Sequence, residues 1–168
     1  IIRATEIAER LDLPLVTQAD ARQQFVLEVS VEGLAIRDRR QVRTLPVQVL
    51  CSNLRRPSRG RDLLARAIGR TNKTVIDATA GFGRDAFHLA SLDRRVTGIE
   101  RSPVLAELLI AALNQPAAEA LRKSIHFICA DSRVAIGQLP RADVIYLDPM
   151  FPQRTINSAT ARKEAILL

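Results

Sequence analysis

The chain has 168 residues, a formal net charge of +7, 47% hydrophobic residues and 26% charged residues. This composition is ordinary for a soluble globular protein and does not indicate disorder, and the length suits one domain, or one domain with a small appendage, around a proper core. No apolar run approaches the ~18 residues a membrane-spanning helix needs, and Arg3, Glu6, Glu9 and Arg10 interrupt any signal-peptide core, so the expectation is a cytoplasmic protein.

Cys51 and Cys129 stand without CxxC or Cys/His ligand spacing, which predicts free thiols and no metal site. The positive charge is concentrated. Ten arginines and no lysine fall between residues 37 and 70, against only Asp38 and Asp62. Guanidinium groups pair their N–H donors with phosphate oxygens, so this excess points to a nucleic-acid surface, with a plain solvated face as the alternative.

In chain order, Ala4, Ile7, Ala8 and Leu11 share one helical face and Pro14 ends the element. Phe25, Leu27, Val29 and Val31 alternate with Val26, Glu28, Ser30 and Glu32, which predicts a half-buried strand turning near Gly33 into a second short one. Leu45 to Leu50 is a further candidate strand, and residues 1–56 read as a small α/β cap. Pro57, Ser58 and Gly60 mark a loop, beside which Arg55, Arg56, Arg59 and Arg61 cluster before a helix over 62–68.

From Lys73 onward strand and helix alternate: strand 74–77, helix 84–92, strand 95–100, helix 103–114, strand 125–130, a short helix near 133–138 and strand 143–147. That order predicts a parallel sheet whose ligands bind at the carboxyl ends of the strands. Each of those ends carries an acid: Asp77, Glu100, Asp131 (followed by Ser132) and Asp148. After Asp77 the small-residue turn with Gly81 and Gly83 lets backbone N–H groups approach a ligand closely. Glu100 follows Gly81 by nineteen residues, about the spacing at which nucleotide folds place a carboxylate on ribose hydroxyls. His88 and His126 read as structural.

The last strand delivers Asp148 into Pro149-Met150-Phe151-Pro152. Prolines hold this turn extended, so it offers a carboxylate, backbone carbonyls and an aromatic face, the parts needed to hold a flat base by its exocyclic amine. Adenine, cytosine and guanine all carry such an amine, and spacing does not choose between them. A dinucleotide-dependent oxidoreductase fits less well, because Ala86 occupies the place of its third glycine. A non-catalytic RNA-binding module using only the arginine surface is the other alternative.

With these motifs in place, the chain resembles the class I S-adenosylmethionine-dependent methyltransferases that methylate amines. Asp-Ala-Thr-Ala-Gly-Phe-Gly-Arg-Asp-Ala-Phe (77–87), Ile-Glu-Arg-Ser-Pro-Val (99–104) and Tyr-Leu-Asp-Pro-Met-Phe-Pro (146–152) together look like the RsmJ-type bacterial small-subunit ribosomal RNA guanine-N2 methyltransferases. The resemblance implies a Rossmann-like α/β sheet over 57–168, incomplete at the C-terminus, behind the cap at 1–56. It implies S-adenosylmethionine held by Asp77, Gly81, Gly83, Arg84, Asp85, Glu100, Arg101, Asp131, Ser132 and Asp148. The catalytic turn would be Asp148, Pro149, Met150 and Phe151, with Arg55, Arg56, Arg59 and Arg61 on RNA. The implied partner is small-subunit ribosomal RNA or the 30S particle, met by a monomer without a metal.

Overall fold

The computed structural model describes residues 2–18, 20, 22–40, 45–51 and 62–149. Helix α1 (Ile2–Leu11) leads to the antiparallel hairpin β1 (Phe25–Ser30) and β2 (Gly33–Asp38), and α2 (Leu63–Ile68) follows. Next come β3 (Thr74–Asp77), α3 (Arg84–Ser91), β4 (Arg95–Glu100), α4 (Pro103–Leu113), a 3-10 segment (Pro116–Leu121) and β5 (Ile125–Cys129). The described chain ends with α5 (Ser132–Ala135), a 3-10 turn (Ile136–Gln138) and β6 (Val144–Tyr146). Strands β3 to β6 form one parallel sheet in the order β5-β4-β3-β6.

The alternation expected from Lys73 onward is what the structure has, with element ends within a residue or two. The central strand β3 is buried at Val75, Ile76 and Asp77, because β4 and β6 flank it. The start of the ladder is fixed by Asp143. Its Oδ2 accepts hydrogen bonds from the N–H groups of Lys73 and Thr74 and from Thr74 Oγ1, each at 2.8 Å. Three donors hold this carboxyl below its usual pKa and set Val144 opposite Val75, which decides where β6 ends.

Helices α3 and α4 bury Phe87, Leu89, Leu105, Leu108 and Leu109 in one cluster with residues of the sheet. Phe127 of β5 lies across Gly98 of β4, where a Cβ would fall 2.6 Å from two of its ring atoms. That vacancy lets Phe127 meet Phe87 edge to face, with centroids 5.5 Å apart and planes at 67°. Burying Phe87 alone contributes about 2–3 kcal/mol of transfer free energy.

The N-terminal elements add to the same core: Ile7, Leu34, Ile36, Val49 and Cys51 are buried in one cluster with the residues of α3 and α4. Arg10 pairs with Glu107 of α4 at 2.6 Å, and Cys51 Sγ lies 3.5 Å from the Ala112 carbonyl. Neither cysteine is in a disulfide, and burial pushes the Cys51 thiol pKa up.

Two sequence expectations need correction. Val31 does not share the buried side of β1; it sits in the hairpin turn and is fully exposed, because the strand ends at Ser30. Residues 45–50 make no strand. Val47 alone bridges Ile36, by bonds of 2.9 and 2.7 Å, and Pro46 beside it has no N–H to extend the ladder. No described helix is long and apolar enough to cross a membrane.

Candidate cofactor and amine site

The carboxyl ends of β3, β4, β5 and β6 open into one cavity of about 730 Å3. Asp77, Glu100, Asp131 and Asp148 all line it, so the four acids expected at the strand tips do converge. Gly81, Arg84, Asp85, Arg101, Ser132 and Pro149 also border it. Among the described residues no cluster of His, Cys, Asp and Glu has the arrangement of a metal site.

Glu100 is buried, and both its oxygens are held by backbone donors. Gly81 N–H donates to Oε2 at 2.9 Å and Ser102 N–H donates to Oε1 at 2.7 Å. The acid at the end of β4 therefore fixes the glycine turn and the start of α4 at once. Each oxygen keeps a lone pair for a further donor.

Asp77 is 1% exposed, and its Oδ1 accepts from Thr79 N–H at 3.1 Å. Burial chiefly, with the nearby carboxylates of Asp85, Asp148 and Glu100, pushes its pKa up to about 7, against the Thr79 bond. Tyr146 donates its hydroxyl to Asp85 Oδ2 at 2.7 Å, and burial together with that acceptor raises the phenol pKa, so it stays a donor.

Asp131 caps α5 by accepting from Arg133 N–H at 2.9 Å, and its side chain also pairs with the Arg133 guanidinium. That pairing, first, and the backbone bond, second, hold the carboxyl down to about 2. Asp131 therefore combines the helix-capping role with a place on the cavity wall.

The two glycines of the turn separate. Gly81, at φ +51°, lines the cavity, and a Cβ there would meet nothing nearer than the Thr79 carbonyl at 3.9 Å. Gly83, at φ +73°, is the N-cap of α3 and faces the core; a Cβ there would lie 2.5 Å from Leu109 Cδ2. Packing, rather than approach to a ligand, is what requires glycine at 83.

Leu64, Thr79, Phe82, Arg133 and Tyr146 also line the cavity, although sequence reasoning did not single them out. Tyr146 was findable, since it lies two residues before Asp148 and strand alternation turns both to one side. His88 is buried and hydrogen-bonds Asp62, the N-cap of α2, while His126 is exposed on β5. Met150, Phe151 and the four arginines Arg55, Arg56, Arg59 and Arg61 lie outside the described residues.

A family model described as a putative SAM-dependent methyltransferase matches residues 6–168. The ribosomal RNA small subunit methyltransferase J of Thioalkalivibrio sulfidiphilus is 39% identical over 178 residues, covering 96% of this chain and 69% of that protein. The chain belongs to this methyltransferase family. The ribosomal RNA small subunit methyltransferase J of Alkalilimnicola ehrlichii is 38% identical over 173 residues, covering 95% of this chain and 66% of that protein. The crystal structure of a SAM-dependent methyltransferase from Neisseria gonorrhoeae superposes with a TM-score of 0.73 at 28% identity, over 89% of this chain and 66% of that one. The chain thus spans about two thirds of the length of these relatives.

The cofactor of the family is S-adenosylmethionine, and the donor set fits it. The ligand is cationic at its sulfonium and amino groups, and the cavity presents Asp77, Asp85, Glu100 and Asp148. Of the five acids on its wall, only Asp131 has its charge answered by an arginine among the ion pairs of the described residues. Glu100, fixed by two amides, keeps acceptor capacity on both oxygens.

Proposed function

We propose that the protein methylates the exocyclic N2 amine of a guanine in small-subunit ribosomal RNA. One observation carries this reading: the Asp148-Pro149 turn opens into the same cavity as Glu100, so an amine acceptor and a nucleoside-binding acid face one space. The choice of ribosomal RNA rests on the names of the relatives, and that of guanine on the family resemblance carried by the motifs at 77–87, 99–104 and 146–152.

S-adenosylmethionine supplies an electrophilic methyl group when bound. In the proposed site Glu100 receives the ribose hydroxyls, the turn at Gly81 offers backbone N–H groups, and Arg101, Asp131 and Ser132 border the adenine. Asp148 and the Pro149 carbonyl accept the two N–H bonds of the target amine. Those bonds turn the nitrogen lone pair away from the purine ring, where it is otherwise delocalised, and toward the reacting carbon. Asp148 can also hold the proton that the amine sheds. Positioning of this kind accounts for ~7–11 kcal/mol of barrier in well-aligned reactions. Phe151 would stack on the base, and Arg55, Arg56, Arg59 and Arg61 would hold phosphates.

In this reading residues 1–56 form the cap and 57–168 the cofactor-binding domain. The reading includes a monomeric enzyme, and a ribosomal RNA substrate implies work in the cytoplasm during ribosome assembly. The test is mass spectrometry of nucleosides from small-subunit RNA incubated with the protein and methyl-labelled cofactor. Label in N2-methylguanosine is expected; label only in N6-methyladenosine, or at a ring carbon, would overturn the guanine assignment.

A further inference from the structure

The turn that borders the cofactor and the turn that borders the target amine are stitched together, and the Thr79 side chain joins them directly. The ladder between β3 and β6 ends at Asp77 opposite Tyr146. One more backbone bond, Ala78 N–H to the Tyr146 carbonyl at 2.9 Å, prolongs it. Beyond that, Asp148 donates its N–H to Thr79 Oγ1 at 2.8 Å. Thr79 is itself anchored, since its own N–H donates to Asp77 Oδ1 at 3.1 Å.

We propose that Thr79 is a positioning residue: its hydroxyl oxygen, by accepting the Asp148 N–H, sets the direction of the Asp148 carboxylate and the Pro149 carbonyl relative to the glycine turn. This rests on the amine-methylating reading above.

The need for a side chain follows from the sequence. Pro149 has no N–H, so the Asp148 N–H is the last donor this strand can offer before the active turn. Pro149 restricts the backbone of Asp148 from its C-terminal side, favouring extended conformations. Nothing in the strand ladder restricts it from the N-terminal side, because β6 has ended and Leu147, Asp148 and Pro149 are all exposed. Thr79 supplies that second restraint. With both in place the backbone of Asp148, and so the Cα–Cβ bond that carries its carboxylate, keeps one orientation; with Pro149 alone the peptide before Asp148 is free to rotate. The anchor on Asp77 means that the hydroxyl moves with the cofactor turn, so the amine acceptor and the glycine turn keep one register.

The test compares Thr79→Val, Thr79→Ala and Thr79→Ser in steady-state methylation of small-subunit RNA, with cofactor Kd from calorimetry and Tm alongside. Valine keeps the shape and removes the acceptor. It should lower kcat by ~10-fold or more, because the exposed Asp148 N–H then bonds water and the turn loses its alignment, while cofactor Kd and RNA KM stay within about threefold. Serine restores the oxygen and should recover most of kcat. If the valine variant does not fold, the alanine variant carries the same expectation. A kcat within twofold of wild type for the folded variant, failure of serine to rescue, or a loss confined to cofactor affinity would each overturn the proposal. Methylation by wild type of a different exocyclic amine would refute the guanine reading while leaving Thr79 testable on that amine. Absence of transfer to any amine would refute both.

Discussion

The backbone N–H of Gly81 donates to Glu100 Oε2 across 2.9 Å, so the acid that ends β4 is also the clamp on the turn that follows β3. Its other oxygen receives Ser102 N–H at 2.7 Å. In Glu100→Gln one of those oxygens becomes an NH2 group facing an amide N–H, and a bond turns into an opposition of donors. Stability should fall by about 1–3 kcal/mol, and S-adenosylmethionine affinity by ~10-fold or more as the turn and the ribose acceptor are disrupted together. Calorimetric titration and thermal melts check both, and NAD should give no saturable heat. Cofactor affinity within twofold of wild type would detach Glu100 from the cofactor.

Asp77 sets a pH dependence whose sign follows from its environment. Its carboxyl titrates near 7 in the fold, raised from 3.8 mainly by burial. Below pH 4 folded and unfolded chains both hold the proton, and the group is neutral toward stability. Between pH 4 and 7 the unfolded chain releases it first, so stability falls as pH rises, and above pH 7 a constant penalty on the order of 4 kcal/mol remains. Asp77→Asn keeps an oxygen for Thr79 N–H and removes the charge. It should raise Tm at pH 8 and change it little at pH 4. A cationic cofactor favours the ionised form, so wild-type affinity should rise by up to ~10-fold between pH 6 and 8 while that of the Asn variant stays flat. Equal pH profiles for the two proteins would exclude Asp77 from cofactor binding.

Gly81 and Gly83 look equivalent in the sequence and should fail in different ways. Gly83→Ala combines a φ of +73° with a Cβ 2.5 Å from Leu109 Cδ2 and 3.0 Å from Phe87, so it should cost ~2–4 kcal/mol of stability. Gly81→Ala, with φ +51° and no side-chain neighbour, should cost only ~1 kcal/mol and act on the cofactor instead. Melting curves and cofactor titrations of the two variants separate the effects; equal loss of stability would contradict this division.

The alternation of β3, α3, β4, α4 and β5 was legible because apolar runs end in acids and small-residue turns, and a parallel sheet brings strand tips together whatever the side chains between them. Convergence of Asp77, Glu100, Asp131 and Asp148 followed from that topology alone. Thr79 and Tyr146 were harder to see, since each acts through a partner far off in sequence, Asp148 and Asp85 respectively. The different duties of Gly81 and Gly83 were hidden for the same reason: the neighbour that decides, Leu109, belongs to another helix. Val31 misled because alternation continues through a two-residue turn as smoothly as through a strand.

The arginines between 37 and 70 do not form one population, and salt dependence should divide them. Arg37 pairs with Glu28 across the hairpin, its Nη2 lying 3.1 Å from Oε2, and Arg40 pairs with Asp38 at 3.0 Å while covering the Phe25 ring. These pairs offset much of the positive potential of the hairpin, and an arginine that must leave its carboxylate to reach a phosphate gains little by the exchange. Arg55, Arg56, Arg59 and Arg61 precede α2 in the sequence and are the proposed phosphate-binding set. Replacing these four with Ala should flatten the slope of log affinity against log salt by about 0.7–0.9 for each phosphate no longer neutralised, with cofactor affinity unchanged. Replacing Arg37 and Arg40 should leave the slope nearly as it was and instead lower Tm slightly, as removal of surface ion pairs does. Filter binding to small-subunit RNA over a range of salt concentrations measures both slopes. A larger change from the hairpin pair than from the four would move the RNA surface onto the cap, and no change from either would return the whole excess to solvent.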